Sequence, residues 1–243
     1  DFSHKNIVFI GDSITSGEGL FGAKSEQDWI PMFFSAVRSY AYQTAERLDA
    51  EYRIFSQSGW GVHNTWDNNI NGALPKYYKE ICSLMPGAEN ERLGGKQPHD
   101  FASWQPDVVV VNLGTNDAAS FDQPAWTDTQ TGERYKMRRE ADGSYCMEDV
   151  KAFQQAAKAF LGLLRSCNPS AQIVWCFGML GMDFQQYIQE AVSAYAQEAS
   201  DHKVFYLPLP PMTPESAGSR EHPGFKCHQQ AAEVLAGYLA ELL

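Results

Sequence analysis

The 243-residue sequence lacks a long hydrophobic run and is poor in basic residues. No apolar segment approaches the roughly 20 residues that cross a bilayer, so we expect no membrane insertion. The chain carries 19 Lys and Arg against 30 Asp and Glu, a formal net charge of -11. Because nucleic acids are bound through clustered Lys and Arg that face phosphates, this balance disfavours a nucleic-acid partner.

The cysteine pattern excludes two further classes of protein. The 5 cysteines are widely spaced, show no CxxC pair and leave one unpaired even if disulfides form. We therefore expect neither a zinc site nor a disulfide scaffold, and no metal or other cofactor. The first residues show no basic and apolar leader, and this absence is uninformative because a mature protein would look the same. The length fits one α/β domain that spans residues 1–243.

The order of apolar segments predicts the fold class. Short apolar runs predict buried strands at 7–10, 52–56, 108–113, 173–177 and 204–207. Apolar residues at helical spacing predict helices at 39–48, 147–167, 187–199 and 228–243. Strands that alternate with helices predict a doubly wound parallel sheet of about five strands. In such a fold, active-site loops gather at the carboxyl ends of the strands.

Ser13 follows the first predicted strand directly. A turn at this position can present a hydroxyl above the sheet, and the N-terminus of the next helix favours negative charge. A serine hydroxyl becomes a nucleophile only when a neighbouring base takes its proton. The alternative is that Ser13 merely caps the following helix.

Four short blocks of the sequence resemble the SGNH, or GDSL, hydrolases. They are residues 11–14 (GDSI), Ser58-Gly59 with Gly61, residues 114–117 (GTND), and His222-Pro223. The blocks occur in the order typical of that family and span nearly the whole chain. The resemblance implies a flavodoxin-like α/β fold and the activity of a serine esterase.

The same resemblance implies a role for each matching residue. Ser13 would be the nucleophile, with its own N–H in the oxyanion hole, and His222 the general base. Gly59 would add a backbone N–H and Asn116 a side-chain N–H to that hole. Glycine allows close approach of the backbone to a substrate, and an amide supplies a neutral donor.

Some alternatives to these roles stay open in the sequence. Gly59 can serve as a plain turn residue, and Gly61 fits the spacing equally well. Asn116 and Asp117 can form an Asx turn that caps a helix. His228 competes with His222 as the base, although it falls in the last predicted helix.

The acid that usually orients the catalytic histidine is missing. Most SGNH hydrolases have Asp three residues before the histidine, whereas this chain has Ser219. A backbone carbonyl, Glu221 or Glu215, or an acid from another loop can replace it. We expect a Ser–His dyad supported by a backbone carbonyl.

A narrower resemblance is to the catalytic domain of family 2 carbohydrate esterases. It rests on GDSIT (11–15), SGWG (58–61), VVVNLGTND (109–117) and FGMLG (177–181). It implies removal of O-acetyl groups from plant polysaccharides or oligosaccharides, with some members using a carbonyl in place of the acid. It also slightly favours a secreted or cell-surface location. The 243 residues contain no match to the N-terminal β-sandwich domain that members usually bear, and they have Glu221 where an aromatic residue is common.

Aromatic residues near the predicted site loops suggest how a sugar would be held. Trp60, His63 and Trp126 are the expected substrate-binding residues, and Trp66 and Tyr135 are further candidates. Each can stack on a pyranose face or belong to ordinary packing. Two rival functions remain: a lipase or thioesterase of the same fold, and a non-catalytic carbohydrate-binding domain.

Overall fold

The structure, a computed structural model, describes residues 4–85 and 87–243. Pro86 and residues 1–3, the start of the segment in which a leader was sought, lie outside it. The strands are β1 (Lys5–Gly11), β2 (Ala50–Ser56), β3 (Val108–Asn112), β4 (Trp126–Thr127), β5 (Arg134–Tyr135), β6 (Gln172–Phe177) and β7 (Val204–Pro208). The α-helices are α1 (Ser13–Ser16), α2 (Tyr40–Arg47), α3 (Ala88–Arg92), α4 (Thr115–Ser120), α5 (Met147–Cys167), α6 (Gln185–Glu198) and α7 (Phe225–Leu242).

Five strands form one parallel sheet in the order β2-β1-β3-β6-β7. This confirms the predicted doubly wound parallel sheet. The short strands β4 and β5 form a separate antiparallel ribbon. Helix α5 has the predicted bounds, whereas α7 begins at Phe225 instead of residue 228 because Gly224 is its N-cap.

Alternate residues of the central strand enter two different cores. Every residue of β3 is buried. Val109 and Val111 pack with α5 and α6 on one face, while Val108 and Val110 pack with α2 and α7 on the other. Burial on both faces explains why this strand is an unbroken apolar run. In the described part of the chain, no helix combines the length and apolar character needed to cross a membrane.

The strand order reverses between β1 and β3, since β1 pairs with β2 on one side and with β3 on the other. Ligands of doubly wound sheets bind in the crevice at such a reversal, beyond the carboxyl ends of the strands. Ser13 follows β1 and Asn116 follows β3. The topology therefore brings two of the predicted site residues to the same edge of the sheet.

Candidate active site

Ser13 is the first residue of α1, and Asp12 is the N-cap of that helix. The Asp12 carboxylate accepts the N–H of Ile14 at 3.0 Å, which is the bond a capping side chain makes. The interpretation of Ser13 as the cap is therefore wrong. Its hydroxyl is left for other contacts, and Ser13 is only 7% exposed.

The Ser13 hydroxyl faces the imidazole of His222. Ser13 Oγ lies 2.9 Å from Nε2, and Nδ1 lies 2.7 Å from the carbonyl oxygen of Arg220. A carbonyl can only accept, so Nδ1 carries the ring proton and Nε2 presents its lone pair to the serine hydroxyl. This is the geometry of a nucleophile beside its general base.

Among the residues that the structure describes, no carboxylate bonds to Nδ1 of His222. Glu215 and Glu221 are exposed, and the hydrogen-bond partner of Nδ1 is the Arg220 carbonyl. The contact to a backbone carbonyl, which we expected because the usual acid is missing, is thus present. Its catalytic role stays a prediction.

The loop that presents this carbonyl has an uncommon backbone. Arg220 and Glu221 have φ values of 52° and 57°, in the left-handed region that costs a non-glycine residue on the order of 1 kcal/mol. The Arg220 N–H donates to the Glu26 carbonyl at 2.8 Å, and the Gly218 N–H donates to the His222 carbonyl at 2.8 Å. Positive-φ residues of this kind concentrate at functional sites.

Glu18 is a site residue that the sequence analysis missed. Its Oε1 lies 2.5 Å from Nη1 of Arg220, and its Oε2 lies 3.9 Å from Nε2 of His222. The Glu18 side chain is 5% exposed. An acid flanked by Gly17 and Gly19 immediately after the nucleophile turn was the available signal.

Asn116 links three parts of the site. Its Nδ2 donates to the Trp60 carbonyl at 3.0 Å and to Oδ2 of Asp12 at 3.2 Å. Both amide hydrogens thus have protein acceptors in this structure. To serve an oxyanion, the amide must turn one hydrogen away from these partners. The predicted oxyanion role of Asn116 stays a prediction.

Asp117 joins residues 58–63, called here the glycine block, to the end of β3. Its buried carboxylate accepts the N–H of Val62 at 3.0 Å and that of His63 at 2.8 Å. Burial raises the pKa of Asp117, while these N–H groups oppose the rise. The N-cap of α4 is Gly114, without a side-chain cap. The Asx-turn interpretation of this segment is therefore wrong.

Gly59 and Gly61 occupy different surroundings. Gly61 is buried, and a Cβ added there would lie 2.3 Å from Oδ2 of Asp117. Gly59 is half-buried with φ 79°. Within the described residues, the backbone N–H groups of Gly59 and Ser13 meet no protein acceptor. The N–H of Gly61 likewise meets none, so the choice of Gly59 over Gly61 rests on the greater exposure of Gly59 and stays a prediction.

Burial raises the pKa of Asp12 to about 7. The Ile14 N–H opposes that rise, and the charges of Asp117 and Glu18 add to it. Asp12 therefore titrates near neutral pH beside the nucleophile.

His228 is not placed to act as a base. It lies in α7, fully buried, and its Nδ1 accepts the N–H of Tyr40 at 3.0 Å. Burial lowers its pKa to about 3. The imidazole is therefore a neutral part of the core.

The candidate sugar-binding residues have different surroundings. The Trp60 ring is half-buried, with its centroid 5.1 Å from that of Tyr77, and the rings of Trp126 and Tyr135 are 5.9 Å apart across the small ribbon. His63 is held by its backbone contact to Asp117. Trp66 is 48% exposed, and a Cβ added to Gly59 would lie 3.1 Å from its Cδ1. Trp66 is thus the exposed indole beside the predicted oxyanion hole.

Within residues 4–85 and 87–243, no group of three or more His, Cys, Asp or Glu side chains is arranged to hold a metal ion. The site consists of hydroxyl, imidazole, carboxylate, amide and backbone groups. Together they define a serine acyl-hydrolase type of centre.

The family comparison agrees with this centre. The model of the GDSL-like Lipase/Acylhydrolase family matches residues 9–232, so the chain belongs to that family. The predicted SGNH resemblance is confirmed.

Individual relatives are carbohydrate esterases. The chain is similar to the acetyl xylan esterase Est2A of the rumen bacterium Butyrivibrio proteoclasticus, with 48% identity and TM-score 0.95 over 98% of this chain and 64% of that one. A family two carbohydrate esterase from Clostridium thermocellum in complex with cellohexaose shows 26% identity and TM-score 0.75 over 98% of this chain and 65% of that one.

A curated acetylxylan esterase / glucomannan deacetylase of Cellvibrio japonicus is 31% identical over 70% of this chain and 41% of its own length. Across the curated relatives, the chain spans between 26% and 50% of their length.

Proposed function

We propose that this chain is a serine esterase that removes O-acetyl groups from carbohydrates through an acetyl-enzyme intermediate. The observation that carries the proposal is the Ser13 Oγ to His222 Nε2 contact of 2.9 Å, with Nδ1 held by a carbonyl. Similarity to an acetyl xylan esterase over 98% of the chain supports acetyl as the group removed and a carbohydrate as the substrate.

The first half of the proposed reaction forms the acetyl-enzyme. His222 Nε2 takes the proton of Ser13 as Oγ attacks the acetyl carbonyl. The tetrahedral intermediate then collapses, and the same Nε2–H protonates the departing sugar hydroxyl. In the second half, water gives its proton to Nε2 and attacks the acetyl-enzyme. Acetate leaves, and Ser13 regains its proton.

The N–H groups of Ser13 and Gly59 are the proposed donors to the oxyanion, because neither has a protein acceptor in the described chain. Asn116 is the third proposed donor, once one of its two amide hydrogens leaves its present acceptor. A well-aimed donor of this kind contributes about 3 kcal/mol to the transition state.

Trp66 is the proposed platform for the sugar, since its exposed indole lies against Gly59. An indole covers a pyranose face with apolar surface while leaving the hydroxyls free for water or polar groups. Trp60, His63 and Trp126 stay candidates for contacts further along a polysaccharide.

Ser13→Ala tests the proposal. Removal of a serine nucleophile lowers turnover on the order of 10⁴-fold or more. Release of acetate from acetylated xylan and hydrolysis of an aryl acetate should therefore fall to background, and a fluorophosphonate should label the wild type alone. Full activity of Ser13→Ala would contradict the mechanism. A strong preference for octanoyl over acetyl esters would favour a lipase instead.

A further inference from the structure

We propose that Glu18 is a positioning residue for His222: its carboxylate fixes Arg220, whose carbonyl orients the imidazole, and balances the guanidinium charge beside the reacting pair. The inference rests on the proposed esterase function, because it assigns Glu18 a part in that reaction. Through Arg220, Glu18 would orient the imidazole of His222 in place of the usual carboxylate on Nδ1.

Glu18 is rigidly joined to the nucleophile turn. Its backbone N–H donates to the Ser13 carbonyl at 2.9 Å, directly after Gly17, which ends α1 in the left-handed conformation. Glu18 itself is 4% exposed. The Glu18 backbone is therefore held next to Ser13, and burial confines its side chain.

The carboxylate of Glu18 joins two parts of the base loop. Oε1 contacts Nη1 of Arg220 at 2.5 Å, and Oε2 faces Nε2 of His222 at 3.9 Å. A buried carboxylate is costly without a charged or hydrogen-bonding partner, and Arg220 is that partner. One acid thus contacts the residue that supplies the orienting carbonyl and lies near the imidazole that this carbonyl orients.

Arg220 needs a tether, because its φ of 52° is unfavourable for a residue with a Cβ. Among the described residues, its N–H donates to the Glu26 carbonyl, its carbonyl accepts from Nδ1 of His222, and its side chain forms the ion pair with Glu18. If Arg220 relaxed to a right-handed conformation, its carbonyl would turn away from Nδ1 of His222. The ion pair therefore helps to keep the imidazole in the tautomer that can accept the serine proton.

The ion pair also has an electrostatic effect. Imidazolium forms during each half of the proposed reaction, and an unbalanced guanidinium nearby would oppose its formation. Arg220 has a side-chain exposure of 35%, so water screens it only in part. Glu18 supplies the compensating charge from the Nε2 side.

The test is a double-mutant cycle of Glu18→Gln and Arg220→Met, with kcat and KM measured on an aryl acetate. We expect Glu18→Gln to lower kcat at least about tenfold with KM within about threefold, because orientation and charge affect the chemical step. The double variant should lose less than the product of the two single losses. The matched control is Glu89→Gln, which breaks the exposed Glu89–Arg92 pair and should stay within about twofold. Multiplicative losses, or a Glu18→Gln variant within twofold of wild type, would overturn the proposal.

If Glu18→Gln does not fold, a second pair of variants still tests the proposal. Arg220→Gly removes the guanidinium but accepts the left-handed backbone without cost, whereas Arg220→Ala retains the penalty. We expect Arg220→Gly to keep a higher kcat than Arg220→Ala. Equal kcat values in these two variants would contradict the role of the ion pair in holding the left-handed backbone of Arg220.

A readout independent of turnover separates this proposal from the proposed function. The Nδ1–H proton of His222, assigned in proton NMR by its loss in His222→Asn, should exchange with water at least about tenfold faster in Glu18→Gln. Unchanged exchange would overturn the role of Glu18 even in an inactive protein. An inactive wild type with this exchange effect intact would instead count against the esterase function alone.

Discussion

The two halves of the candidate site are built in different ways. The sheet-edge cluster (Asp12, Ser13, Asn116 and Asp117) lies at the ends of two buried parallel strands and is joined through side chains that bind backbone groups. The His222 loop (residues 216–224) is held mainly by backbone hydrogen bonds and contains two left-handed non-glycine residues. The nucleophile is therefore placed by the core of the domain, and the base by the shape of a loop.

This difference predicts two kinds of mutational response. Changes in the sheet-edge cluster should alter stability and turnover together, because the same buried polar groups support both. Changes in the His222 loop should alter turnover more than stability.

Asp117→Ala should destabilise the protein by about 5 kcal/mol, because the buried N–H groups of Val62 and His63 lose their acceptor. Turnover should fall as well, since the glycine block is released from β3. Urea unfolding and kcat on an aryl acetate measure the two effects. Asp122→Ala is the control: it removes a carboxylate with 57% side-chain exposure that pairs with Arg139, and should cost less than about 1 kcal/mol. A similar cost for both variants would contradict the structural role of Asp117.

Asp12→Asn should change how stability depends on pH. The pKa of Asp12 is about 7 in the folded protein against an ordinary value of 3.8. Between these values the folded state holds a proton that the unfolded state has lost, so stability falls as pH rises. The loss by pH 7 is on the order of 4 kcal/mol, at 1.36 kcal/mol for each pKa unit. Asparagine cannot ionise but can still accept the Ile14 N–H as an N-cap.

The measurement is the free energy of unfolding of both proteins at pH 4.5 and 7.5. We expect a smaller decrease with pH in Asp12→Asn than in the wild type. Some decrease should persist, because burial also raises the pKa of Asp117. Parallel pH curves for the two proteins would show that Asp12 is not the group responsible.

The fold could be predicted from the sequence because the strands and helices follow simple periodic patterns. The predicted strand at 108–113 is an unbroken apolar run, as burial on both faces requires of a central strand. The helix at 147–167 has apolar residues at helical spacing and ends before Asn168-Pro169. The start of α7 was missed because Phe225 precedes the regular apolar repeat. Its N-cap, Gly224, has no side chain and so gives no capping signal of the usual Ser, Thr, Asp or Asn type.

The candidate site could be predicted only in part. Ser13 and Asn116 follow buried strands, so topology brings them together. Glu18 was missed because its contacts are with Arg220 and His222, more than 200 residues away in the chain. A backbone carbonyl in place of the acid was expected from Ser219, but that it belongs to Arg220 depends on the φ value of that residue, which composition and spacing do not encode.

Gly59→Ala should lower the free energy of unfolding by about 2 kcal/mol, because φ of 79° disfavours a Cβ and that atom would lie 3.1 Å from Trp66 Cδ1. Turnover should fall more than tenfold, since the predicted oxyanion N–H shifts with the backbone. Gly132→Ala, at φ 75° with no heavy atom within 4 Å of the added Cβ, is the matched control for backbone strain alone. It should cost a similar free energy without loss of kcat. Equal turnover of the two variants would argue against a catalytic donor at Gly59.

Glu221→Gly should stabilise the protein by about 1 kcal/mol, because glycine adopts φ of 57° without strain. For a chain of this size, the corresponding rise in Tm is about 2–4 °C. Glu233→Gly is the opposing control: it lies on the exposed face of α7, where glycine costs about 1 kcal/mol relative to a good helix former. The Tm values of the two variants should therefore shift in opposite directions relative to the wild type. A fall in Tm for Glu221→Gly would mean that the loop is held by contacts of the Glu221 side chain instead of by its neighbours, and the contrast with the sheet-edge cluster would be lost.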